Sequence, residues 1–400
     1  MTRPTALPSP TAAPSAAGTP SPAVAAAAAA DMRDPLPRTP VGLDGVVAAE
    51  TVLSHVDGAA GRLIVRGHDL ETLAGMPFEA VLALLWADLL PGSPDAAAIH
   101  TALGRARLRA FDLMLPRLAA TEGLSPVEGL RLLLGALGDG EAEPHAVLAV
   151  AAVPVFVAGL TRRRAGQAPV APDPARGLAD DFLTMLRGAP AGAEAVEALE
   201  TYLVTVADHG LNASTFAARV IASTEAGLFS AVIGALSALK GPLHGGAPGP
   251  VLDMLDAIGS EAAIGPWIDD ALRRGERLMG FGHRIYRVRD PRADVLKGAV
   301  SRLRGAGNRI GFAESVEREA LARLAAAKPL RPLDTNVEFY TALLLEALDL
   351  PRDLFTCIFA MGRMAGWTAH VLEQERSGRL IRPQSRYVGP MPAASVRGAA

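Results

Sequence analysis

The sequence predicts an all-α protein, and three observations carry that reading. From about residue 42 onward apolar residues recur at three- and four-residue spacing. Runs of strict alternation are rare, and each cluster of glycine and proline precedes a helical pattern.

Taken in order, residues 1–40 are mostly Ala, Pro, Ser and Thr and cannot bury enough surface to offset their ordering entropy, so they read as disordered. They lack the large apolar segment of a secretory signal; their scarcity of acids before Asp31 leaves an organellar transit peptide as the alternative. The one plausible sheet element is Arg62-Leu-Ile-Val-Arg66, after Asp57-Gly58. Helical spacing then marks 78–90, 196–206, 216–221, 228–239, 251–258 and 340–348. The longest apolar run, 146–160, is interrupted by Pro154 and is shorter than the roughly 20 residues a bilayer span needs, so no transmembrane segment is expected.

Breakers gather at 188–192, 240–250 and 280–291, and the stretch 247–345 is richer in charge than its flanks. That contrast predicts a small domain at 247–345 inserted between two parts of a large one, 41–246 and 346–392, with a flexible tail at 393–400. A ligand site is expected at their junction.

Half of the 400 residues are apolar, enough for a large core. A net charge of −3 gives no overall field to attract nucleic acid or an anionic membrane, so any anion binding must be local. Cys357 is the only cysteine, which excludes an intrachain disulfide, fits a reducing cytoplasm and, amid Leu-Phe-Thr-Cys-Ile-Phe-Ala, reads as core rather than nucleophile.

The chemistry-bearing residues lie in short segments of the second half. His244 sits in Gly241-Pro-Leu-His-Gly-Gly246, where glycines let a ligand approach the main chain. His283 lies in Gly280-Phe-Gly-His-Arg284, and Glu338 in Asn336-Val-Glu-Phe-Tyr340. Two histidines and a carboxylate suit proton transfer at a carbon or carbonyl centre; the alternative for either histidine is an ordinary surface loop. Arg284, Arg287, Arg289 and Arg292 follow His283, and Asp290-Pro291 predicts a helix start with Arg292 in its first turn, where a guanidinium can fork a carboxylate or phosphate. Asp208-His209-Gly-Leu-Asn212-Ala-Ser214 offers a third histidine before a helix. Arg363, among apolar residues, requires an anion, either a protein carboxylate or a ligand's. No dinucleotide, P-loop or zinc spacing occurs, so neither a metal nor a nucleotide fold is expected.

These segments together resemble the citrate synthases, including 2-methylcitrate synthases, over nearly everything from Gly42 to Pro390. The likeness begins with Gly42-Leu-Asp-Gly-Val-Val-Ala-Ala-Glu-Thr51. It runs through Asn212-Ala-Ser-Thr-Phe-Ala-Ala-Arg-Val-Ile-Ala-Ser-Thr224 and the 241–247 segment, and ends with Leu380-Ile-Arg-Pro-Gln-Ser-Arg-Tyr-Val-Gly-Pro390. The resemblance implies a helical homodimer whose large and small domains close over oxaloacetate and an acyl-CoA, with no further cofactor. It assigns His244 to the thioester oxygen, His283 to the ketone oxygen of oxaloacetate and Glu338 to the α-proton. It makes His209, Arg292 and Arg363 ligands of the oxaloacetate carboxylates, Arg382 a ligand supplied by the other subunit, and Arg287 a contact of CoA phosphate. Ser214, with Asn212 beside it, would orient His244.

Two departures stand out. The family usually has Asp where this chain has Glu338, and Ala-Pro-Gly-Pro at 247–250 replaces the usual helix entry after His244. A divergent bacterial subgroup shares the pair, which favours an active condensing enzyme; a non-catalytic paralogue that binds oxaloacetate or acyl-CoA is the competing expectation.

Overall fold

Glycine and proline divide the chain into helices whose ends, more than their middles, bring the charged residues together. The computed structural model describes residues 41–43, 45–245, 248–303, 307–329 and 333–390. The expected disorder of 1–40 and the expected tail at 393–400 lie outside the described residues, as do Gly246 and Ala247. The chain divides into a short unit ending at Glu50, whose described part is a 3-10 turn at Val41–Leu43 followed by irregular chain, and a main unit from Thr51 onward.

Among the described residues the single expected strand is one of three. β1 (Ser54–Asp57), β2 (Arg62–Val65) and β3 (His68–Asp69) form an antiparallel sheet in that order, with Ser54 opposite Val65 and Val65 opposite His68. Asp57 closes the first turn by accepting the Ala59 and Ala60 N–H groups at 3.0 and 2.9 Å. Leu63 and Val65 are buried on one face of β2.

Next come α1 (Phe78–Trp86), α2 (Ala96–Met114), α3 (Pro126–Leu134), α4 (His145–Arg164), α5 (Leu178–Arg187), α6 (Ala193–Val206), α7 (Ala213–Ala222) and α8 (Leu228–Leu239). After them follow α9 (Pro248–Ile258), α10 (Ile264–Arg273), α11 (Pro291–Ser301), α12 (Gly307–Ala327), α13 (Val337–Ala347) and α14 (Phe355–Ser377). The fold is predominantly helical with one small sheet, as the spacing predicts. α1 ends four residues before the expected 90, because Ala87 leaves the helix and Asp88 takes a positive φ of 62°.

The apolar run at 146–160 corrects an expectation: Pro154 does not interrupt it. α4 runs 20 residues straight through Pro154, and every residue from Ala146 to Leu160 is buried. Proline inside a helix costs about 3 kcal/mol, whereas each buried Val, Leu or Phe contributes about 1.5–3 kcal/mol. Val147, Leu148, Val150, Val153, Val155, Phe156, Val157 and Leu160 outweigh the lost bond several times over. By length and a mean hydropathy of 1.7 α4 could cross a membrane, but here its neighbours are α2, α3, α5 and α14.

α14 is the second axis of the core and packs against α4, α6, α7 and α8. α11 touches both α6 and α13, and α13 also touches α9. The C-terminal end of α6 and the N-terminal ends of α7, α11 and α13 therefore approach one another beside the middle of α14.

Candidate active site

His283 and Glu338 come from loops that are clipped together. Phe281 and Thr335 form an antiparallel bridge, Gly282 N–H donates to Asp334 O at 2.7 Å, and Asn336 N–H donates to Gly280 O at 2.9 Å. The Asn336 amide adds a bond from Nδ2 to Gly282 O at 2.8 Å, while its Oδ1 caps α13 by accepting Glu338 N–H at 3.0 Å. Gly280 and Gly282 adopt φ of +86° and +83°, and a Cβ there would stand 2.8 Å from Phe339 and 2.9 Å from Leu333. Only glycine fits this clip.

Within it, His283 Nδ1 accepts the backbone N–H of Ile285 at 3.0 Å and of Tyr286 at 3.1 Å. Nδ1 therefore carries no proton, and the neutral ring holds its proton on Nε2. Arg292 Nη2, also a donor, lies 3.5 Å from that nitrogen. Two donors converge with no acceptor between them, which is the arrangement that receives a carbonyl oxygen or carboxylate. Burial, reinforced by Arg292, pulls the His283 pKa down to about 4, so the ring is neutral at pH 7.

Asp290 caps α11, and Arg292 does stand in the first turn. The Asp290 carboxylate also forks the guanidinium, with Nε to Oδ1 at 3.0 Å and Nη2 to Oδ2 at 2.8 Å. Burial opposes the Arg292 charge, but Asp290 prevails and holds its pKa above the ordinary value. Arg363 differs. It is buried, its Nε donates to Val206 O at 2.6 Å, and its guanidinium lies 4.9 Å from the Phe359 ring. Among the described residues no carboxylate comes within 4.0 Å of it, so of the two anions the sequence allows, a protein carboxylate in contact is not present there. Burial and then Arg292 bring its pKa down to about 10, with Asp208 as the strongest opposing influence. It remains a cation at pH 7.

His209 is buried edge-on to His283, their centroids 5.5 Å apart, and its Nε2 meets the Tyr286 hydroxyl at 3.3 Å. Burial and Arg292 hold its pKa well below the ordinary value. His244 closes the group from the end of α8. Its Nε2 lies 2.8 Å from Ser214 Oγ, which also lies 2.8 Å from Asn212 Oδ1 and accepts Trp367 Nε1–H at 3.1 Å. Asn212 meanwhile caps α7. The single Ser214 proton thus has two acceptors; when it turns to His244 Nε2, the ring proton sits on Nδ1, free to donate to a ligand. Burial, then Arg363 and Arg292, hold the His244 pKa at about 4.

Glu338 is half-buried, and desolvation pushes its pKa up to about 7 against the pull of Arg292. The cluster therefore holds neutral imidazoles able to donate, a carboxylate titrating near neutrality and two cations. That set can remove a proton from carbon while stabilising the oxygen that becomes negative.

Arg287 and Arg382 stand apart from it. Arg287 is exposed, its backbone N–H bonded to Gly58 O at 2.8 Å, and Arg382 is exposed in the irregular chain after α14. Sequence reasoning missed Tyr286, Trp367 and Tyr202, whose buried hydroxyl has no hydrogen-bond partner among the described residues. The i,i+4 spacing from Arg363 to Trp367 was a signal for one of them.

Residues 42–384 match the family described as citrate synthase, C-terminal domain. The chain belongs to the citrate synthase family. The citrate synthase of Haloferax volcanii is 42% identical over 366 residues, 87% of this chain and 95% of that protein. The 2-methylcitrate synthase of Mycobacterium tuberculosis is 36% identical over 366 residues, 89% and 92% of the two chains. Among solved structures, the citrate synthase of Thermoplasma acidophilum in ternary complex with carboxymethyl coenzyme A and oxaloacetate superposes with a TM-score of 0.79 at 27% identity, covering 89% of this chain and 97% of that one. Family membership supports a condensation-type, acyl-transferring enzyme.

Proposed function

We propose that this chain condenses an acyl-CoA, acetyl or propionyl, with oxaloacetate, and that water then cleaves the thioester of the condensation product, releasing CoA and citrate or 2-methylcitrate. The observation that carries the reading is Arg363, a buried cation with no carboxylate in contact among the described residues, beside Arg292 and the donor pair His283 Nε2 and Arg292 Nη2. A four-carbon dicarboxylate with a ketone supplies the two kinds of acceptor that this arrangement lacks.

In this reading Glu338 takes the α-proton of the thioester, and His244, with its proton on Nδ1, donates to the enol oxygen. His283 donates to the ketone oxygen as the new carbon–carbon bond forms and its oxygen gains charge. His209, Arg292 and Arg363 hold the carboxylates. Arg287 meets CoA phosphate, and Arg382 completes the site of the other subunit in a homodimer. The segment 247–345 serves as the smaller domain that closes on the larger one. On this reading Glu338 together with Pro248 and Pro250 is the mark of a divergent bacterial subgroup with a longer base, and the lone buried Cys357 suits the cytoplasm.

The test is purified protein with oxaloacetate and either acetyl-CoA or propionyl-CoA, followed by thiol release. Turnover with one or both is expected. A folded dimer that binds oxaloacetate but releases no thiol from either would leave the non-catalytic paralogue as the better account. The ratio of the two kcat/KM values decides the acyl group, since one methylene in an apolar pocket is worth about 1–3 kcal/mol.

A further inference from the structure

Behind the site runs a buried polar chain that the proposed reaction does not use. Asp208, the residue before His209, is 1% exposed, and His370 on α14 is fully buried. His370 Nε2 lies 3.3 Å from Asp208 Oδ1, a charge-to-dipole contact out of hydrogen-bond alignment, and neither atom has a hydrogen-bond partner among the described residues. On the other side of the ring, Arg219 Nη1 lies 3.0 Å from Nδ1. A guanidinium only donates, so Nδ1 is the acceptor and the ring proton sits on Nε2, facing Asp208. Arg219 is itself held by Glu373 Oε2 at 2.5 Å and Gln374 Oε1 at 3.1 Å. The other Asp208 oxygen takes the Ser54 hydroxyl in a short bond and Gly210 N–H at 3.3 Å.

These restraints matter because of Arg363. A buried carboxylate free to move would close on a buried guanidinium that has no carboxylate in contact, and the ion pair would then occupy the group meant for a ligand. Asp208 instead acts on Arg363 from beyond 4.0 Å: its charge helps keep the guanidinium ionised, yet Oδ2 is engaged by Ser54 and Gly210 and Oδ1 stands against the His370 ring.

We infer that His370 is a positioning residue for the dicarboxylate subsite: its Nε2–H, backed by Arg219, holds the Asp208 carboxylate off Arg363 and fixes the turn that presents His209. The inference rests on the proposed oxaloacetate reading, and its test uses affinity so that the two can fail separately. Oxaloacetate and CoA binding are measured by titration calorimetry on the full-length protein, His370→Leu and His370→Gln. Leucine removes both ring contacts, while the glutamine amide can still accept from Arg219 and donate to Asp208.

Oxaloacetate affinity is expected to fall at least tenfold in His370→Leu with CoA affinity within twofold, and to return to within about threefold of the unaltered protein in His370→Gln. Unchanged oxaloacetate affinity in His370→Leu, equal loss for both ligands, or a glutamine variant no better than leucine each overturns the inference. Ser54→Ala, which removes another restraint on Asp208 at the sheet, gives an independent arm should His370→Leu not fold: about threefold weaker oxaloacetate with CoA unchanged is expected, and unchanged oxaloacetate refutes the role. Turnover is not part of this comparison. A chain that binds oxaloacetate without condensing it defeats the proposed reaction while the affinities still decide His370.

Discussion

Replacing Glu338 with glutamine should cost activity and yield stability, and the two effects have one cause. The carboxyl titrates at about 7 in the fold against an ordinary 4.5, because desolvation disfavours its charge. Between those values the folded chain retains a proton that the unfolded chain has lost, so the contribution of Glu338 to stability falls as pH rises through the window and the whole cost is present above about pH 7. At about 1.4 kcal/mol for each pH unit the cost approaches roughly 3 kcal/mol. Partial exposure of the side chain brings the expected gain to about 2–3 kcal/mol at pH 8, with under about 1 kcal/mol at pH 5. For a chain of this length that is a rise of a few degrees in Tm.

Glutamine cannot accept the α-proton, and a positioned base contributes about 10²–10⁴ in rate, so kcat should fall by about that factor. Wild-type kcat/KM should rise about tenfold from pH 6 to a plateau near pH 8, with no second limb from His244 or His283, which stay neutral above about pH 4. Calorimetric scans at pH 5 and pH 8, with thiol-release kinetics, measure both. A glutamine variant that is no more stable at pH 8 than at pH 5 relative to wild type, or that retains its rate, refutes the argument.

Glu338→Asp shortens the reach by roughly 1.5 Å and should lower kcat by tens-fold to about a hundredfold while the oxaloacetate KM changes little; steady-state kinetics with both substrates varied checks the split. Ser214→Ala removes the 2.8 Å partner of His244 Nε2 and should cut kcat by at least tenfold, while the buried Trp367 Nε1–H left without its acceptor should cost about 1–3 kcal/mol, read by kinetics and a thermal melt together. Gly280→Ala forces a Cβ to within 2.8 Å of Phe339 at a φ of +86° and should destabilise by about 1–3 kcal/mol, visible as a lower urea midpoint.

Much of this molecule was legible in its sequence for reasons that can be named. Helices with one apolar face, such as α8, announced themselves with correct ends because Gly227 and Lys240-Gly241 bound a clean pattern. α4 did not, since a helix buried all round has no period to read and its proline resembled a stop. The small sheet was half visible: β2 carries the apolar run Leu63-Ile64-Val65 between two arginines, whereas β1 and β3 are short and hold their place through pairing with β2. In the site, motif residues on helix ends were readable, but the groups that orient them were not. Trp367, His370 and Arg219 come from three places along two helices, and only packing of α7 against α14 brings them to Ser214 and Asp208. Asp290 was readable as a cap, yet its second task, gripping Arg292, depends on side-chain geometry that a spacing pattern does not carry.

The clip between residues 280–282 and 334–336 also bears on how this enzyme can vary. Because a backbone bond ties Asn336 to Gly280 and its side-chain amide ties it to Gly282, the start of α13 cannot retreat from the His283 loop without breaking them. On the proposed assignment of His283 to the ketone and Glu338 to the proton, the separation between the two is then set by the length and rotamer of the side chain at position 338. On that assignment, exchanging one acidic residue for the other at 338 moves the base by about one carbon–carbon bond, roughly 1.5 Å, with neither loop reshaped.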